Sequence, residues 1–272
     1  MKVIGFYIIS ALFMTSVLMG SSAAEEVVIV KKFDAHNLRF ENIKMKLEIK
    51  THTAKGIEVK VFTPDVKEKY IGFEMSGDEL VVEQLKTASI GNISVISQST
   101  GNGGGRSVVS IGNQTTIIEG NNVVVSHNSS QARPRMEISI PVGTSLTLNN
   151  FKGKAMIGNT EGAFNMNGSG KVVAGNLNKV ELEISKNAKV EINQVKQLLK
   201  VDASGNSKLH LQQGNVENLQ VSVTGNSRVK YGGHAHKASL SVTDNGKLFV
   251  ASVDERRNST ISRNGRLTIG NW

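Results

Sequence analysis

The chain has no cysteine and only three prolines in 272 residues. Without cysteine there is no disulfide framework, no Cys/His catalytic pair and no lipid attachment by the bacterial lipoprotein route. Aromatic residues make up only 5% of the chain, too few to supply the stacking platforms of a single-strand nucleic-acid binder. Long apolar runs are also missing beyond the first 24 residues, so no later segment is expected to span a bilayer as a helix. Carboxylates are scarce in one stretch: residues 171–272 carry 15 basic and 8 acidic groups, whereas residues 25–140 carry 14 of each. What is plentiful is glycine, at 27 residues. That composition suits many short strands joined by tight turns.

The N-terminus reads as a targeting segment. Lys2 is its only charge, Val3 to Met19 is almost wholly apolar, and Ser22 and Ala24 fit the small positions of a cleavage site. A signal peptide over 1–24 is the expectation. An uncleaved anchor is the other reading, although the apolar run is slightly short for one. Either way the chain is expected to be exported, to the periplasm, the cell surface or the medium.

Residues 25–87 alternate apolar and polar side chains, as in Ile43-Lys44-Met45-Lys46-Leu47-Glu48-Ile49, and predict an N-terminal β region. Residues 88–132 are rich in Gly, Asn and Ser, and read as an insertion of strands with long turns or as a flap. Residues 133–272 are expected to form a repeat domain. Five asparagines recur there at steps of 19 or 20 residues: Asn187, Asn206, Asn226, Asn245 and Asn264. Each stands between two short runs with alternate apolar residues, for example Leu182/Ile184 before the first and Val190/Ile192 after it. A period of about 20 predicts one coil of backbone stacked on the next. The expected fold is all-β, a single-stranded β-helix, with the N-terminal strands packing on it or continuing it. The asparagines are assigned to the turns, where their tolerance of left-handed backbone and a coil-to-coil amide ladder would be structural.

Two residues after each asparagine stands a cation: Lys189, Lys208, Arg228, Lys247 and Arg266. Stacking would bring them into one self-repelling row. The row is either a solvated corner that discourages end-to-end growth or a contact for an anionic polymer. An acidic polysaccharide or lipopolysaccharide is the expected partner; nucleic acid is not, nor is a cofactor. No catalytic set is visible. Glu183 and Asp202 are expected in neighbouring coils, but Ser222 and Ser241 follow in that column, so a polysaccharide-cleaving enzyme is the weaker reading. His234-Ala235-His236 puts two imidazoles on one face of an extended segment. With no third ligand at a defined spacing, it is expected to be a solvated loop instead of a metal site.

The run Pro134-Arg135-Met136-Glu137-Ile138-Ser139-Ile140-Pro141-Val142-Gly143-Thr144, followed by serial Ser/Thr-Gly-Asn-Ser-Lys/Arg coils, resembles the bacterial "putative auto-transporter adhesin, head GIN domain" family. The likeness extends over roughly residues 35–272. It implies an exported, non-enzymatic β-helix of the cell envelope with an adhesin-like role. A structural, self-associating envelope protein without a soluble ligand is the alternative expectation. This chain departs from the family in placing cations where its coils often carry an acidic residue.

Overall fold

A computed structural model describes residues 27–62, 71–84, 93–98, 106–111, 114–119, 122–127 and 134–270. The expected signal peptide and the run 101–105 within the glycine-rich insertion lie outside the described residues. The first strands are β1 (Val27–Phe33), β2 (Asn37–Glu41), β3 (Lys46–His52), β4 (Ile57–Phe62), β5 (Ile71–Ser76) and β6 (Glu79–Gln84). Next come β7 (Ile93–Gln98), β8 (Arg106–Ile111), β9 (Gln114–Glu119) and β10 (Asn122–His127). The remainder are β11 (Arg135–Pro141), β12 (Ser145–Phe151), β13 (Lys154–Ile157), β14 (Thr160–Gly168), β15 (Lys171–Ile184), β16 (Lys189–Ala203), β17 (Lys208–Val223), β18 (Arg228–Val242), β19 (Lys247–Ile261) and β20 (Arg266–Ile269). There is no helix among the described residues, hence none long and apolar enough to cross a membrane.

Sixteen strands form one continuous sheet wound into a β-solenoid. A four-stranded antiparallel meander, β7 to β10, forms a second sheet. In the regular coils one long strand bends at its middle, so its two halves pair independently. On face one, β11, β3, β13, the first halves of β15 to β19, and β20 lie side by side and parallel. On face two, β6, β2, β12, β14 and the second halves of β15 to β19 do the same. The bends carry register shifts, such as that between Leu211 and Asn215. There β17 holds 16 residues against 15 in its neighbours, which accounts for the one repeat step that is longer than the rest.

The N-terminal strands continue the solenoid by interleaving. β3 sits between β11 and β13 on face one, and β2 sits between β6 and β12 on face two. Residues 37–52 and 135–151 are thus neighbouring rungs although about a hundred positions separate them. Backbone bonds stitch them together, Ser145 N–H to His36 O and Lys152 N–H to Ile43 O. The far end is closed by antiparallel pairs, β1 on β4 and β5 on β6. At the opposite end the second half of β19 is the final rung of face two. Ser259 and Ile261 there take the places of Leu240 and Val242 and are exposed. Its neighbours Glu255, Arg256 and Arg257 put charge on an open edge, which discourages further strand pairing.

Alternate apolar side chains from both faces fill the interior. In β16 these are Val190, Ile192, Val195, Leu199, Val201 and Ala203, all buried, each stabilising by roughly 1.5–3 kcal/mol where the side chain is Val, Leu or Ile. Tyr231 is fully buried, and its hydroxyl donates to His234 O at 2.7 Å. The space for its ring comes from missing side chains: a Cβ on Gly233 would stand 2.7 Å from that ring and 2.4 Å from Gly214 O.

The turns are four-residue reversals in which, for example, Ala188 N–H bonds Ser185 O. Positive φ falls on Lys186, Gly205, Gly225, Asp244 and Arg263. The left-handed residue is therefore the one before each asparagine. This is the pattern of a type II′ turn, whose first central position favours glycine, and the asparagine takes the second. Its amide reaches along the solenoid instead. Asn206 donates to Asn187, Asn226 to Asn206, Asn245 to Asn226 and Asn264 to Asn245, at 3.4, 3.2, 3.1 and 3.2 Å.

Candidate functional site

The residue after each turn begins face one with its side chain outward, because the next residue must face the core. Lys189, Lys208, Arg228, Lys247 and Arg266 are direct register partners along this edge. The column does not stop there. Lys171 pairs with Lys189, Lys154 with Lys171, Lys46 with Lys154 and Arg135 with Lys46. Nine consecutive rungs thus present nine cations and no other residue type. At about 4.8 Å per rung the column is roughly 38 Å long.

The four additional members carry the same local phrase, a cation followed by an inward apolar residue, any residue, and a second inward one. Lys46-Leu47-Glu48-Ile49 and Arg135-Met136-Glu137-Ile138 match Lys189-Val190-Glu191-Ile192 almost letter for letter. Gly153-Lys154 and Gly170-Lys171 also share the small residue that precedes the cation in the later coils. That residue faces the tight inside of the turn: Ala188, Ser207, Ser227 and Gly246 are all buried there, with Ser207 and Ser227 joined by a 3.1 Å hydroxyl bond.

Two residues further along each strand lies a second outward column, and its chemistry changes with position. In register order it reads Glu137, Glu48, Met156, Val173, Glu191, His210, Lys230, Phe249 and Thr268. Towards the β11 end its carboxylates neutralise the cations beside them. Arg135 meets Glu137 at 3.2 Å, Lys46 and Lys50 meet Glu48 at 3.9 and 3.0 Å, and Lys189 meets Glu191 at 2.7 Å. Lys50 thereby holds the Glu48 carboxyl below the ordinary carboxylate range, and Lys189 does the same for Glu191. From β17 onward the second column has no carboxylate. Lys208, Arg228, Lys247 and Arg266 have no ion-pair partner among the described residues, and Lys230 lies over the Phe249 ring at 5.7 Å to the centroid.

Between the two columns runs a trough of about 580 Å³. One wall is Lys189, Lys208, Arg228, Lys247 and Arg266; the other includes His210, Lys230 and Phe249. Its floor is the backbone of the intervening residues. Phe249 points outward yet is only 7% exposed, so the aliphatic arms around it cover an apolar strip beneath the charges.

Face two is different. The column nearest its turn reads Glu83, Glu41, Asn149, Asn167, Glu183, Asp202, Ser222, Ser241 and Thr260. It has four acids, no cation and hydroxyls at its far end. Glu183 and Asp202 are register partners beside a shallow recess of about 210 Å³. They stand side by side on a flat face, with Glu183 accepting from Asn167 at 3.0 Å. Carboxylates that cleave a glycosidic bond must flank it from opposite sides, and this pair is not so arranged. His234 and His236 lie at the bend between β18's halves, where β19 brings Asp254 against them. That third group comes from the next coil, 18 positions beyond His236.

No family model matches this chain, and no curated protein does either. Among solved structures it is similar to a "putative adhesin" of Parabacteroides merdae ATCC 43184, with 12% identity, 89% of this chain and 96% of that one covered, and a TM-score of 0.47. A "putative lipid binding protein" of Parabacteroides distasonis ATCC 8503 shows 11% identity, coverage of 89% and 96%, and a TM-score of 0.46. A "putative cell adhesion protein" of Clostridium sporogenes ATCC 15579 shows 12% identity, coverage of 89% and 98%, and a TM-score of 0.26. Likenesses this distant carry no argument about ligand or activity. The β-solenoid stands on its own strand register.

Proposed function

We propose that the protein is an exported, adhesin-like β-solenoid of the bacterial envelope that holds anionic carbohydrate in the face-one trough. The observation that supports this reading is a run of four successive rungs without charge compensation. Glutamates of the same face pair with Arg135, Lys46 and Lys189, while Lys154 and Lys171 stand beside Met156 and Val173 with no ion pair among the described residues. From Lys208 to Arg266 no glutamate among the described residues does so, although the neighbouring outward positions would accept one. Adjacent like charges at rung spacing repel by up to about 1 kcal/mol per pair in water. A solvated corner that discourages end-to-end growth needs charge only at the end rungs, whereas a polyanion laid along the axis meets one cation per rung. The partner is a chain whose negative groups are carboxylate, sulfate or phosphate. The resemblance to the head GIN domain family and the expected leader over 1–24 support this location.

The test is retention on immobilised polyuronate and on lipopolysaccharide. The comparison is between the natural chain and a variant with Lys208, Arg228, Lys230, Lys247 and Arg266 changed to Gln. Surface charge contacts are worth about 0.2–1 kcal/mol each, so affinity should fall by roughly 100-fold. Retention of polyuronate alone identifies carboxylate glycans; retention of lipopolysaccharide alone identifies phosphate. Undiminished retention of the variant on both would overturn the proposal.

A further inference from the structure

The bend at β18 and β19 gathers three donor groups that the trough does not use. His236 Nδ1 lies 2.9 Å from Asp254 Oδ2, and His234 Nε2 lies 3.1 Å from the same oxygen. All three donor atoms lie within 4.8 Å of one another. Ligand bonds of about 2.0–2.2 Å place tetrahedral donors roughly 3.4 Å apart, so small side-chain adjustments suffice to surround an ion. The outer partner is present as well: His234 Nδ1 lies 3.0 Å from Ser252 Oγ. With Nε2 on a metal, the Nδ1–H donates to that hydroxyl, which fixes the tautomer and ring plane. The rings themselves are held edge to face, with centroids 5.0 Å apart.

Two bounds come from the neighbouring coils. Asn215 pairs with His234, and Ser252 follows it, so the imidazole at this position belongs to one coil among the described residues. Glu217, on the preceding rung beside His236, is engaged by Lys237 at 3.1 Å and leaves the three donors as the available set. His234 is half-buried, while His236 and Asp254 are exposed. An ion there would have protein on one side and open positions on the other.

We propose that His234, His236 and Asp254 form a divalent first-row metal site, suited to zinc(II), that clips β18 to β19 near the open end of the solenoid. Two neutral imidazoles and one carboxylate match the ligand preference of zinc. A three-residue site leaves a coordination position for water or for a donor from another molecule. The site sits on an exposed bend with no enclosing cleft, so its role is coordination and local stabilisation of the last coils.

The experiment uses the untagged chain after treatment with a chelator, titrated with zinc(II) by calorimetry and with cobalt(II) by visible absorption. The expected result is one ion per chain, with raised hydrogen-exchange protection over 247–261. His236→Ala and Asp254→Asn should each weaken binding by about tenfold or more, and Ser252→Ala by about tenfold. His210→Ala, in the trough, should leave binding unchanged. Asp254→Asn preserves shape, so loss of binding with an unchanged melting temperature of the metal-free protein separates ligation from misfolding. The absence of saturable one-to-one binding, or binding that survives both His236→Ala and Asp254→Asn, would overturn the site.

Discussion

The two faces of the solenoid share one backbone, one core and one repeat, yet their outward columns diverge. Face one keeps a cation at nine successive rungs, from Arg135 to Arg266. The turn-side column of face two mixes Glu, Asn, Asp, Ser and Thr, as expected where only solubility and strand edges matter. Stacking identical charges is unfavourable on both faces alike, so the backbone alone explains neither pattern. The difference between them is the observation on which the proposed polyanion partner of face one rests.

The largest effect should come from the core that both faces share. Tyr231→Ala empties a fully buried site and should lower stability by about 3–5 kcal/mol, measured by denaturant unfolding. A smaller loss would mean that the coils support one another less than the packing indicates. Next come the turns that join face two of one coil to face one of the next. Asn226 donates to Asn206 and accepts from Asn245, whereas Asn264 donates to Asn245 and accepts from no further asparagine among the described residues. Asn226→Ala should cost about 1–2 kcal/mol and Asn264→Ala about half of that. Equal losses would show that the ladder is not a cooperative row.

Charge substitutions should then separate the faces by sign. Arg228→Gln removes repulsion from Lys208 and Lys247 and should stabilise by about 0.5 kcal/mol at low salt. Lys200→Gln removes a 3.7 Å pair with Glu181 and should destabilise slightly. The smallest effect concerns acid. The folded Glu191 carboxyl titrates below its unfolded value because of Lys189. Its contribution is complete above the unfolded value near ~4.3 and is lost as pH falls through the lower folded value. Both partners are about half exposed, so the loss should stay under about 0.5 kcal/mol. Glu191→Gln should flatten the stability profile between about pH 5 and pH 3.

The coil period and the inward pairs such as Val221/Val223 were legible because each regular coil is one uninterrupted stretch of chain. The asparagines marked the turns, but the left-handed position one residue earlier was only half visible: Gly205, Gly225 and Asp244 suit positive φ, whereas Lys186 and Arg263 do not announce it. Only part of the basic column was visible as a period. Lys154 and Lys171 fall at steps of 17 and 18, and Lys46 and Arg135 join through interleaved rungs with no fixed sequence spacing. Their shared phrase, cation–apolar–any–apolar, was the available signal. Asp254 escaped notice beside His234 and His236 because proximity across rungs depends on register, and the register shifts at that bend.

The central claim is that the face-one cations bind a polyanion and those of face two do not. Two variants of equal net charge test it: Lys208, Arg228 and Lys247 changed to Gln on face one, and Lys179, Lys200 and Lys237 changed to Gln on face two. The measurement is the slope of log affinity for an anionic polysaccharide against log salt concentration. The account predicts a clearly shallower slope and weaker binding for the face-one variant, with the face-two variant matching the natural chain. Equal slopes for the two variants would contradict it, because binding would then follow net charge and not the column.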